Sequence, residues 1–300
     1  MKKKLVASLL IVSVMMIGMT GCKSGSESKA GQEEDTNAAV SGDITIISRE
    51  DGSGTRGAFV ELMGIEEKID GEKVDQTTVD AQITNSTSVM MTTVAEDDNA
   101  IGYISLGSLN DTVKAIKVDG AEATEENIKS GTYKVARPFN VVRKEGEENA
   151  IVDDLINFIY SEEGQAVVSE NGYIAIDDIK EFESAKPEGK AVVGGSSSVT
   201  PLMEKLIEAY SAINSQATIE LQATDSTTGV TSTLDGSYDL GMVSREVKEE
   251  ELAEGAVPLV IATDGIAVIV NKNNSIEDLS SEDIKEIYVG NLLTWEELSK

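Results

Sequence analysis

The chain has 300 residues, 40% of them hydrophobic but only 4% aromatic, enough aliphatic material for one large domain or two lobes with separate cores. A formal net charge of −29 repels nucleic acid and anionic lipid headgroups and reads as a solubilising surface. With no histidine and one cysteine, Cys22, the chain cannot form histidine-based catalytic triads, histidine–zinc sites or an intramolecular disulfide.

The first residues read as a targeting segment. Lys2, Lys3 and Lys4 form a basic start, Leu5 to Met19 an apolar run, and a small-residue step leads to Cys22. The run is shorter than the roughly 20 apolar residues of a membrane span. "MTGC" resembles a bacterial lipobox, with Met19 departing from the usual Leu or Val. Residues 1–21 are therefore expected to be a lipoprotein signal peptide and Cys22 the lipidated residue. Residues 22–42, rich in Ser, Gly and acids, read as a disordered tether that holds a folded domain outside the membrane.

Strand-like and helix-like stretches then alternate, which argues for an α/β fold. "DITIIS" (43–48) alternates like a strand and runs into "REDGSGTR", after which "RGAFVELMG" has helical spacing with Phe59, Leu62 and Met63 on one side. A strand, a glycine-rich loop and a helix start make a natural anion site. Free backbone N–H groups and the positive helix end converge there, and glycines let backbone approach a ligand closely. Ser53 and Thr55 add hydroxyls, and Arg49 a planar fork suited to an oxyanion. Residues 149–173 read as a helix pair broken near Gly164, with Ile151, Leu155 and Ile159 in the core.

"VVGGSSSVTPLMEKLIEAY" (192–210) repeats the strand, turn and helix design, with Thr200 as cap, Pro201 in the first turn and a buried stripe of Met203, Leu206, Ile207 and Tyr210. Two more polar turns follow strands, at Ser226-Thr227 before Gly229 and at Ser244-Arg245. Four such turns suggest one shared cleft. Residues 257–274 carry two apolar strand runs around Thr263-Asp264-Gly265, and Ser280 and Asp283 have capping-box spacing before a last helix.

Together these stretches resemble the phosphate-binding protein of the Pst-type ABC importer, a periplasmic-binding-protein fold (type II) of two α/β lobes around a ligand cleft. "SREDGSGTR", "GGSSSVTPLMEKL", "DLGMVSREVK", "TDGIAVIVN" and "IKEIYVGNLLTWEEL" carry the resemblance, which covers nearly everything from residue 43 onward. The order is not the family's: "GSSSVTP" should open the domain and "SREDGSGTR" should come mid-chain. The chain looks circularly permuted, with the family's termini joined through "IDDIKEFESAKPEGK" (176–190). Permutation implies a discontinuous lobe of 43–110 plus 274–300, a continuous lobe of 136–272, and a crossover region at 111–135.

The resemblance implies that Arg49, Ser53, Gly54 and Thr55 clamp inorganic phosphate from one lobe while Ser197, Ser198, Ser226 and Ser244 face it from the other. Arg245 either touches the anion or pairs with an acid. Telling phosphate from sulfate calls for a buried acceptor, because only hydrogen phosphate carries a proton. Asp264 is the expected acceptor and Asp225 the second choice, with Asp51 steering Arg49. The implied protein is not an enzyme and needs no cofactor or metal. It is a monomer on the outer face of the cell membrane, held there by its lipid anchor, and it passes phosphate to ABC permease subunits. Another oxyanion (sulfate, molybdate or a phosphonate), an adhesin or sensor on the same fold, and a phosphatase are the alternatives.

Overall fold

The computed structural model describes residues 40–69 and 72–299. The signal peptide, Cys22 and nearly all of the tether lie outside them. Among the described residues no helix is long and apolar enough to cross a membrane.

One extended sheet runs through the molecule. Its strands follow the order Ala217–Thr224, Gly189–Ser196, Leu240–Val243, Ala136–Lys144, Ala256–Val270, Ala100–Ser105, Thr45–Arg49 and Gln82–Thr84. Pairing is parallel at both flanks, and in the middle Ala136–Lys144 and Ala256–Val270 run antiparallel to each other. Four apolar clusters form on this frame among the described residues, two of them large. One gathers Ile46, Phe59, Tyr103, Ile266, Val268, Ile284, Tyr288 and Trp295; the other gathers Phe139, Val141, Leu155, Val193, Leu206, Tyr210, Met242 and Ile261. In the first, Phe59 stacks on Tyr103 with ring centroids 4.0 Å apart, and Tyr288 meets Phe59 edge-on at 4.9 Å. Each such ring pair is worth about 0.5–1.5 kcal/mol beyond burial.

Ala256–Val270 is a single strand of 15 residues, not two runs around a turn. Thr263, Asp264 and Gly265 pair with Pro138, Arg137 and Ala136, so the apparent turn lies mid-strand. Its near end packs into the second core and Ile266, Val268 and Val270 into the first. Residues 111–135 contribute Ile116, Val118, Ala121, Tyr133 and Val135 to the first core.

Local differences from the sequence reading have local causes. Leu62 is exposed because the last turn of helix Gly54–Leu62 faces solvent, while Phe59 and Met63 are buried. The helix Thr200–Ile213 starts one residue earlier than expected, with Val199 at the cap; Thr200 instead donates from its hydroxyl to the Ser196 carbonyl at 3.1 Å. Helices Ala150–Ile159 and Glu162–Glu170 break at Tyr160-Ser161, where the Ser161 hydroxyl accepts from Gly164 N. Gly164 sits within the second helix, and a Cβ there would lie 2.1 Å from the Phe158 carbonyl. The Ser280–Asp283 capping box is present.

Residues 176–190 are docked on the second core. Phe182 packs edge-on against Phe158, and Asp154 accepts from Ser184 Oγ at 2.6 Å, Ala185 N at 3.0 Å and Tyr210 Oη at 2.8 Å.

Candidate functional site

The sheet delivers its polar turns to one place. Strands Thr45–Arg49, Gly189–Ser196, Ala217–Thr224 and Leu240–Val243 end beside it, and helices Gly54–Leu62, Thr87–Ala95, Thr200–Ile213 and Ser226–Leu234 begin there. Carboxyl ends of strands and amino ends of helices therefore meet, with unpaired N–H groups and positive dipole ends on the same side.

The two lobes touch directly at this point. Arg49 Nη2 donates to Ser197 Oγ at 3.2 Å, the Thr55 and Ser198 hydroxyls are 2.7 Å apart, and Thr227 N donates to the Gly52 carbonyl at 3.2 Å. Ser196 donates to Ser244 Oγ at 2.8 Å, and Ser226 Oγ accepts from Ser244 N at 3.1 Å. Glycines make this approach possible. A Cβ on Gly54 would fall 2.3 Å from Ser226 Oγ and 2.8 Å from Ser244 Oγ; one on Gly52 would fall 2.3 Å from Asp225 Oδ1. Gly195, at φ +136° and 2.4 Å from the Met242 carbonyl by the same measure, holds a backbone that only glycine adopts freely.

Each expected residue can now be located. Arg49, Ser53, Gly54, Thr55, Ser197, Ser198, Ser226 and Ser244 gather in this cluster; all but the half-buried Ser197 are buried. Ser53 caps its helix by accepting from Arg56 N. Arg49 is 2% exposed, its chain anchored where Tyr103 Oη accepts from Arg49 N at 3.2 Å. Burial pushes the Tyr103 phenol up to about 12, so it stays neutral. Asp51 does not steer Arg49. It pairs with Arg56 Nη1 at 2.7 Å, and Glu50 takes Arg49 through Nε and Nη2 at 2.8 and 2.7 Å. Alternating side-chain direction on the loop turns neighbouring acids to different arginines.

Arg245 gives a bidentate pair to Glu251 at 2.7 and 2.8 Å, with one long contact to Thr227 Oγ1 at 3.4 Å. It pairs with an acid, as do Arg49 and Arg137. Asp225 caps its helix, accepting from Thr228 N at 2.9 Å and Thr228 Oγ1 at 2.6 Å.

Asp264 is buried at the junction of the lobes, but it is not an open acceptor. Oδ1 accepts from Ser105 Oγ at 2.8 Å and Gly107 N at 3.5 Å; Oδ2 accepts from Arg137 Nη2 at 3.1 Å and Nε at 3.4 Å. These four contacts fill about the four lone-pair positions of a carboxylate. Burial pushes its carboxyl up to about 6, against the opposing pull of Arg137.

Two participants escaped the sequence reading. Thr87 presents its N–H to Ser197 Oγ at 3.4 Å and its hydroxyl to Ser198 at 3.2 Å. Arg137 is 3% exposed and lies in register with Asp264 on the neighbouring strand. One signal existed for it: an arginine interrupting an otherwise apolar strand, "ARPFNVV", needs a buried partner. Thr87 had no comparable signal in "NSTS". Among the described residues no acidic or cysteine cluster is placed to hold a metal ion.

The PBP superfamily domain matches this chain over residues 29–163 and 181–300. The phosphate-binding protein PstS 2 of Streptococcus agalactiae is 52% identical over 302 residues, covering the whole of both chains. The chain belongs to the PstS family of phosphate-binding proteins. PstS 2 of Streptococcus pneumoniae is 40% identical over 99% of this chain and the whole of its own. A crystal structure of a phosphate-binding protein of a phosphate ABC transporter from S. pneumoniae superposes with a TM-score of 0.67 at 42% identity, covering 86% of this chain and all of that one. PstS of Bacillus subtilis matches at 34% identity over only 39% of this chain and 41% of its own. The two PstS 2 relatives thus match this chain in its present order from end to end.

Proposed function

We propose that this chain captures inorganic phosphate between its lobes and delivers it to the permease of an ABC importer outside the cytoplasmic membrane. The meeting of Arg49 and Thr55 from one lobe with Ser197 and Ser198 from the other carries the reading. The relatives named above are phosphate-binding proteins, one of them described as part of a phosphate ABC transporter. Four helix starts and a buried guanidinium supply donors, and burial of the surrounding side chains lowers the local dielectric in which charge-assisted bonds to a dianion act. The strands Ala136–Lys144 and Ala256–Val270, which serve both lobes, are the hinge about which the cleft opens and closes.

Residues 1–21 act as a lipoprotein signal peptide and Cys22 carries the lipid; replacing Cys22 by Ser should release the protein from the membrane fraction. The chain works as a monomer and performs no catalysis. The two halves stand in permuted order, joined through 176–190. That order explains why the match to the B. subtilis protein stops at about two-fifths of each chain while the PstS 2 relatives match throughout. The lobes are 43–110 with 274–300, and 136–272, with the long strand shared between them.

Calorimetric titration of the tag-free domain with phosphate and sulfate tests the reading. Phosphate should bind at one site per chain, and absence of phosphate binding by a folded sample refutes it. Because every carboxylate in the cluster has protein partners, a second reading, a site open to several oxyanions, is tested by the sulfate arm.

A further inference from the structure

We propose that Arg137 is a second ligand-holding guanidinium of this site, facing the anion together with Arg49. The inference rests on the phosphate reading above and concerns which groups grip the ligand.

Arg137 is buried where the two lobes join. Nη1 donates at 2.9 Å to the carbonyl of Ser244, a residue whose hydroxyl belongs to the cluster with Ser196 and Ser226. Nε and Nη2 hold Asp264, and the guanidinium lies 5.3 Å from the centroid of the Phe139 ring. A guanidinium has five N–H donors. Three are engaged, which leaves one on each terminal nitrogen without a protein acceptor among the described residues. Arg49 shows the same pattern: Nε and Nη2 serve Glu50 and Ser197, and Nη1 has no protein acceptor among the described residues.

Burial depresses the Arg137 guanidinium, the facing Asp264 carboxylate opposes that, and the like charge of Arg49 adds a smaller depression. Each arginine is paired with one acid, Arg49 with Glu50 and Arg137 with Asp264, so the remaining N–H donors of both forks are what an anion would engage. Asp264 cancels one unit of charge and, with its lone pairs filled, fixes the plane of the fork.

The rival explanation is that Arg137 exists only to neutralise Asp264. A double variant separates the two. Arg137→Gln alone leaves Asp264 buried and unpaired and threatens the fold. Arg137→Gln with Asp264→Asn removes both charges and leaves an amide pair in their place. Phosphate affinity of the parent and the double variant is measured by calorimetry, with ligand-free melting temperature as the check on folding. A folded double variant that binds phosphate at least tenfold more weakly than the parent supports the proposal. A folded double variant within tenfold of the parent overturns it. Failure of the parent itself to bind phosphate would instead refute the function proposed above.

Discussion

Replacing Gly54 by alanine isolates lobe closure from folding. Gly54 opens the helix Gly54–Leu62 with an ordinary helical backbone, so alanine fits its own lobe and adds up to about 1 kcal/mol of helix propensity. Across the cleft the new methyl would stand 2.3 Å from Ser226 Oγ, where an ordinary contact is 3.4 Å or more. Something must move by about 1 Å. Ser226 Oγ cannot rotate away freely because it accepts from the buried Ser244 N at 3.1 Å, and leaving that N–H unpaired costs about 1–3 kcal/mol. Overpacking adds a similar amount. The lower end of that sum, a closure penalty of about 2 kcal/mol, already weakens phosphate binding roughly 30-fold, while the ligand-free melting temperature does not fall. Gly57→Ala is the control, since a Cβ there meets Arg245 Cδ at a tolerable 3.5 Å. Calorimetry and thermal melts on both variants decide the matter. Gly54→Ala binding within threefold of the parent would mean that the observed seam is not the liganded geometry.

Sulfate should compete measurably with phosphate. With Asp264 filled and Asp225 and Glu50 each already holding two hydrogen bonds, a phosphate hydroxyl accepted by serine or threonine oxygens limits discrimination to about 1–3 kcal/mol, roughly 5- to 150-fold; competition calorimetry reads it directly. The pH dependence of stability should carry an Asp264 component. Its carboxyl, faced by Arg137, Tyr133 and Tyr173, is raised by burial from 3.8 to about 6, so its protonation stabilises the fold fully below pH 4 and that contribution is lost as pH rises through 6. The melting temperature of the parent minus that of Asp264→Asn should therefore fall between pH 4 and 6 in the absence of ligand. Asp154→Ala should free residues 176–190: losing three bonds, with the buried Tyr210 hydroxyl left without an acceptor and only Asn214 Nδ2 as its partner, costs about 2–4 kcal/mol, read as a lower melting temperature and faster proteolysis in that segment with phosphate affinity unchanged.

Much of this architecture could be read from short stretches because its units are local. The strand at 45–49, its Gly-Ser-Gly-Thr turn and the following helix occupy 18 contiguous residues, and period-2 and period-3.6 apolar patterns mark them. What escaped depends on partners distant in sequence. Thr263-Asp264-Gly265 has turn composition, and only pairing with Arg137, 127 residues away, keeps it in a strand. Glu251 claims Arg245 at a spacing of six, which no helical or strand period flags. Glu50 and Asp51 are adjacent, and the sequence cannot tell which acid turns to which arginine.

That division also bears on why a reversed order of halves is physically acceptable. Each polar turn of the cluster is encoded by its own strand end, three of them with the helix start that follows, Arg49 to Thr55, Ser196 to Thr200 and Thr224 to Ser226, and the fourth by the strand end Val243 to Arg245 alone. A cut or a join between such units changes the route of the chain but not the direction of any carboxyl strand end or amino helix end. Of the interactions between units, Arg137 with Asp264 is set by the register of two neighbouring strands and the clearance of Gly54 against Ser226 by how closely the lobes approach; neither depends on which lobe comes first. The new covalent junction at 176–190 is held down by Asp154 and Phe158, on the second core and among residues that take no part in the site. Loop-closure entropy rises only slowly with the length of such a joint. A permuted order of this kind therefore leaves intact a cluster set by strand ends, glycine clearances and two buried arginines.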